Sequence, residues 1–179
     1  MNTSSNPFDL LLDLEKRTLK GLNSLPAVDL IEEEWVGVGF RIGDLKLIAS
    51  MSEVKEILDL PEFTSVPGVK SWVVGVANVR GSLLPILDMK TFLLGEDIKR
   101  RQRGRVIVID YKGFDTGLIV EEIFGMRHFR ENDETDDTVD VHEDISPYIG
   151  KTFKQNEEYW PVFGFNEMVQ NERFAQASL

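Results

Sequence analysis

The chain contains no cysteine, which removes disulfides, thiolate metal sites and a thiol nucleophile together, and is compatible with a reducing compartment. Histidine is almost as scarce, with His128 and His142 the only two. Neither has companions at ligand spacing, so no metal site is expected, and a Ser-His-Asp arrangement has few bases to draw on. Positive charge is also short: 20 Lys and Arg stand against 31 Asp and Glu, a net charge of −11. A general nucleic-acid binder needs the opposite excess. No window reaches the run of about 18 apolar residues that a membrane span requires. The opening stretch MNTSSNPFDLLLDLEKR lacks the basic region and long apolar core of a signal peptide. The expectation is a cytoplasmic protein, in which the sequon Asn2-Thr3-Ser4 is chance.

Several fragments of known motifs are incomplete. Gly37 and Gly39 suggest a dinucleotide fingerprint, but the next glycine is Gly43 and a strand follows rather than a helix. Gly150-Lys151-Thr152 resembles the end of a phosphate loop, yet Ile145 stands where that loop needs glycine. The acidic run from Glu131 to Asp144 holds no glycine, which a calcium loop of the EF-hand type requires. It reads as a solvated loop. No G-x-S-x-G elbow occurs, and no set of catalytic side chains converges. The expectation is a protein without catalytic activity, metal or cofactor.

What is present is the makeup of a soluble globular chain, 179 residues with 42% hydrophobic and 28% charged. Its apolar pattern is mostly that of short strands between turns. Trp35–Ile42 and Leu45–Ala49 read as a hairpin around Gly43-Asp44, Val106–Tyr111 and Thr116–Ile123 as another around Lys112-Gly113, followed by an extended piece to Phe129. Ile149–Phe153 and Tyr159–Phe165 form a last pair. Helices are expected at Pro7–Leu22, at Ser50–Leu58, where Met51, Val54, Ile57 and Leu58 fall at helical spacing, and at Glu167–Ala177 behind an Asn166 cap. Many short strands with little helix signal a barrel or sandwich. The N-terminal helix either packs on the body or docks on a partner, and the basic run Lys99–Arg105 is either a solvated connector or a contact for an acidic partner.

The stretch from Trp72 to Leu94 draws most attention. Val73–Val79 and Leu83–Asp88 read as two strands joined by Arg80-Gly81, with a short helix after them. Glycine makes such a turn accessible and displays Arg80 at its tip. Asn78, Arg80 and Asp88 are the polar exceptions in an apolar segment. Arg80 either anchors a partner or only pairs with Asp88 or a loop carboxylate. A protein-binding adaptor and a small-ligand sensor both remain compatible with these residues.

Gly75-Val-Ala-Asn-Val-Arg-Gly-Ser-Leu-Leu-Pro-Ile-Leu-Asp88 resembles the hallmark of the chemotaxis coupling (CheW-like) family, G-x-x-N-L-R-G followed by an apolar pair, Pro, apolar residues and Asp. Gly117-Leu-Ile-Val-Glu-Glu-Ile123 resembles a second family motif, with Glu121 in place of the usual Asp. The N-terminal helix and Pro67–Trp72 look most like the branch of the family that serves type IV pili. The resemblance implies a mainly β fold of two five-stranded β-barrel subdomains of SH3-like type, with short helices and an added N-terminal helix. It also implies a division into an N-terminal helix and linker at 1–34, a domain at 35–174 whose lobes meet near 95–104, and a tail at 175–179. It further implies a non-catalytic adaptor between the cytoplasmic tip of a chemoreceptor and the regulatory domain of a CheA-type histidine kinase, recruited to membrane-bound receptor arrays and controlling twitching motility. Carried over by position, Asn78, Val79, Arg80 and Gly81 form the partner-binding tip, Pro85 and Asp88 support it, and Val38 and Phe40 line a groove between the lobes.

Overall fold

The computed structural model describes residues 34–96 and 104–176. The expected helix at Pro7–Leu22, residues 97–103 of the basic connector and the last residues of the tail lie outside them. The chain divides into Met1–Glu33 and Glu34–Leu179, and the second unit is the one described.

Its strands in chain order are β1 (Trp35–Ile42), β2 (Leu45–Ser50), β3 (Glu56–Asp59), β4 (Phe63–Thr64), β5 (Val73–Val79), β6 (Ser82–Asp88), β7 (Arg105–Tyr111), β8 (Phe114–Val120), β9 (Glu122–Phe129), β10 (Glu134–Thr135), β11 (Ile149–Gln155) and β12 (Glu158–Phe163). Short helices cover Met89–Leu94, Phe165–Gln170 and Glu172–Ala175. They build two six-stranded sheets, one ordered β10-β11-β12-β2-β1-β9 and the other β3-β7-β8-β6-β5-β4. We call these the first and second sheets. Each exceeds the expected five strands by a two-residue strand, β10 in one and β4 in the other. The fold is mainly β with few short helices, as the sequence leads one to expect.

Sheet membership does not follow the expected division near 95–104. β7 and β8 lie beyond the connector yet join β3 to β6, with β6 and β8 parallel through Ile86↔Gly117, Leu87↔Leu118 and Asp88↔Ile119. The first sheet is assembled from both ends of the domain, β1 and β2 from one side and β9 to β12 from the other. The second sheet is contiguous in sequence, and the first encloses it.

The reason both sheets are so apolar lies in three clusters of buried side chains. Along β7, Val106 and Val108 point into a core of the second sheet with Val74, Ala77, Leu84, Ile86 and Ile119, while Ile107 and Ile109 point the other way. That other face joins Val38, Phe40, Ile42 and Leu47 of the first sheet in a core shared by both. Alternation puts successive residues on opposite faces, so a strand buried on both reads as an unbroken apolar run. A smaller cluster of Ile48, Phe129, Phe153 and Trp160 belongs to the first sheet alone. Gly37 and Gly39 serve this packing: a Cβ on Gly37 would stand 2.6 Å from the Trp35 ring, and one on Gly39 would stand 3.0 Å from Trp160. Their spacing reflects room for aromatic rings.

Two helix expectations are corrected. Residues 51–53 form a turn and Glu56–Asp59 becomes β3, paired with β7 from Glu56↔Val108 to Asp59↔Arg105. The closing helix is split at Asn171, whose side-chain oxygen accepts from Arg173 N at 2.9 Å and restarts the chain as Glu172–Ala175. Asn166 does not cap the first piece. Gly164 occupies that position, and the Glu53 carboxylate reaches over to accept from Phe165 N at 3.2 Å and Asn166 N at 3.1 Å.

Candidate functional site

The β5–β6 hairpin closes on Val79↔Ser82, leaving Arg80-Gly81 as a two-residue loop. Both residues have positive φ, 51° and 86°. This is the pattern of a type I′ turn, whose twist matches that of the flanking strands. Glycine adopts it freely, whereas arginine pays for its Cβ there. Asn78 offsets part of the cost, its Oδ1 accepting from Gly81 N at 3.0 Å. The sequence N-V-R-G is thus a turn-forming unit that lifts an arginine clear of the sheet.

Arg80 is exposed over 76% of its side chain and makes an ion pair with Glu56 of β3 at 2.6 Å. Its partner is therefore neither Asp88 nor a loop carboxylate. The Glu56 side chain is 33% exposed, and ion pairs that solvent reaches contribute about 0–1 kcal/mol, so this pair adds little to stability.

A second turn of the same design lies at the same end of the sheet. Lys112 and Gly113 have φ of 52° and 84°, and Asp110 Oδ1 accepts from Gly113 N at 3.0 Å. Because β6 and β8 run parallel, both turns precede their strands at one edge. Just past the turns, Leu83 is 74% and Phe114 73% exposed. Continuing the β6–β8 register places these two side by side. Around them, Lys55 pairs with Asp115 at 2.5 Å and Arg80 with Glu56. The Asp115 hydrogen bond raises the Lys55 pKa above its ordinary value. The result is an exposed apolar pair set among ion pairs, the makeup of an interface core with a polar rim.

The remaining predicted residues take different places. Val79 is half-buried against the core of the second sheet. Pro85 is exposed in β6 and has no N–H to give, and pairing to β8 starts one residue later at Ile86. Asp88 is fully buried and caps the Met89–Leu94 helix, its Oδ1 accepting from Thr91 N at 3.0 Å. Val38 and Phe40 are corrected: both are 0% exposed in the shared core, where no partner can touch them. The space between the sheets at these positions is packed core. Leu83 and Phe114 were missed from sequence. Parity alone marks Leu83, since Leu84 and Ile86 point inward, but strands buried on both faces blur that signal.

Among the described residues no cluster of three or more potential metal ligands occurs, and no helix is long and apolar enough to cross a membrane. A surface cleft of about 320 Å³ is lined by Trp35, Glu53, Tyr148 and Glu167 among others. It lies away from the hairpin turns.

A model of the CheW-like domain matches residues 36–173. The chain belongs to the CheW-like domain family. The Arg80 hairpin tip and the helix-capping Asp88 both fall inside the matched residues. Protein PilI of Pseudomonas aeruginosa is 38% identical over 179 residues, covering the whole of both chains. The chemotaxis protein CheW of Bacillus subtilis is 26% identical over 133 residues, 74% of this chain and 85% of that one. Among solved structures, the scaffolding protein TtCheW of Thermoanaerobacter tengcongensis superposes with a TM-score of 0.62 at 17% identity, over 73% of this chain and 89% of that one. That likeness establishes a CheW-like fold.

Proposed function

We propose that this chain is a non-catalytic scaffold that couples chemoreceptors to a CheA-type histidine kinase, in a chemosensory system controlling type IV pili and twitching motility. Full-length similarity to PilI and the CheW-like domain support the reading. The observation that carries the site is the face formed by Arg80, Leu83 and Phe114, where a strained turn spends stability to display an arginine beside two exposed apolar side chains. Such composition suits protein anchoring. The interiors of both sheets are filled by their own side chains, which disfavours a metabolite sensor. The protein works in the cytoplasm at the membrane-bound receptors. Asn78, Val79, Gly81, Pro85 and Asp88 shape and support the contact face.

Titration of the purified chain with the regulatory domain of a CheA-type kinase and with a receptor tip tests the assignment. Binding of both, with affinity for at least one reduced about thirty-fold (about 2 kcal/mol) by Arg80→Ala, is the expected result. Unchanged affinities for both partners would remove Arg80 from the contact.

A further inference from the structure

The chain passes between the two sheets at two places within the domain, and one of them is a single residue. β8 ends at Val120 in the second sheet and β9 begins at Glu122 in the first, so Glu121 alone makes the crossing. Its carboxylate is used from both sides. On the first sheet it accepts a hydrogen bond from Gly43 N, in the β1–β2 turn, and lies 3.9 Å from Arg41 Nη1. On the second it lies 3.6 Å from Lys90 Nζ, in the helix that follows β6. Arg41 is itself fixed, donating to Gly43 O at 2.9 Å and to Glu122 at 3.1 Å. The Glu121 and Lys90 side chains are only 20% and 18% exposed, so solvent screens them less than an open surface pair.

We propose that Glu121, Lys90 and Arg41 form a clamp that sets the angle between the two sheets, and with it the direction in which the Arg80 hairpin faces relative to the first sheet. The shared apolar core makes the sheets pack, but the hydrophobic effect itself is non-directional. Hydrogen bonds to a charged carboxylate are directional. Burial works against the Lys90 charge, yet Glu96 and Glu121 outweigh it and hold its pKa above the ordinary value, so the charge persists at neutral pH. The other crossing, residues 51–55, is longer and joins the sheets through backbone contacts such as Lys55 N to Val108 O at 2.8 Å.

The absence of native cysteine makes the test direct. Spin labels are placed on Thr64→Cys in the second sheet and Met126→Cys in the first, both exposed, and their distance distribution is measured in the full chain. The parent is expected to give one narrow distribution. Glu121→Ala is expected to broaden or shift it, Lys90→Met to do so in the same direction, and Glu121→Gln, which keeps an acceptor for Gly43 N, to fall between. If Glu121→Ala does not fold, the other two variants carry the comparison. Distributions as narrow and as centred as the parent's in the folded variants would overturn the clamp and leave the angle to the apolar core.

Discussion

At the scale of single residues, the conformation of Arg80 separates stability from function. A left-handed residue with a Cβ costs about 1–2 kcal/mol, and the exposed pair with Glu56 recovers little of it. Arg80→Gly is therefore expected to leave the unfolding free energy unchanged or raise it by up to about 1 kcal/mol, while weakening partner binding to the extent expected of Arg80→Ala. Denaturant melts read the first quantity and titration calorimetry the second. Loss of stability with retained affinity would reverse the assignment. Phe114→Ala removes an exposed ring, and surface substitutions of that kind usually change stability by less than about 0.5 kcal/mol. The expected effect is again on binding, and an affinity equal to the parent's would exclude Phe114 from the face.

At the scale of elements, the hairpins were the most legible part of the chain because glycine and Asx residues mark their turns directly. N-V-R-G and D-Y-K-G share one design, and the structure gives both the same positive φ pair and the same side-chain acceptor. The stretch 50–58 was not legible, since Met51, Val54 and Ile57 fit a helical period as well as they fit a turn and a strand. Lys55 N donates to Val108 O, and pairing of Glu56–Asp59 with β7 decides the matter through a neighbour about fifty residues away. The Met89–Leu94 helix depends on Asp88, whose cap is typical of those worth about 1 kcal/mol, with a range of 0.5–2. Asp88→Ala is expected to lower the unfolding free energy by about that much or somewhat more, given its burial, and urea titration measures it. The same helix carries Lys90, whose pKa is raised. A folded pKa above the unfolded one stabilises fully below the ordinary lysine value of 10.5 and is lost as pH rises through the folded value. Alkaline melting curves of Lys90→Met should accordingly fall less steeply than the parent's above that pH, and identical slopes would contradict it.

At the scale of the whole molecule, the shared core joins the two sheets into one body, and this is where sequence reading stopped short. Val38 and Phe40 carry apolar side chains on a glycine-rich strand, and nothing local distinguishes a groove lining from a core that the opposite sheet covers. Both turned out to be wholly buried. Phe40 stacks on Phe165 at 5.6 Å and meets Phe163 edge-on at 6.1 Å, so Phe40→Ala is expected to destabilise the domain by about 3–5 kcal/mol, a loss that differential scanning calorimetry would show as a large fall in Tm. A change below about 1 kcal/mol would mean that the Phe40 ring is not held by this packing. The nested order of the strands also bears on how the protein is made. As the ribosome delivers the chain, β3 to β8 can pair among themselves once β8 has emerged, while the β1–β2 hairpin waits with both outer edges bare, one for β9 and the other for β12. Unpaired strand edges invite association with other chains. A nascent chain halted before β9 therefore exposes a sticky hairpin that its own C-terminal half is built to cover, which gives chaperones a defined window in which to act.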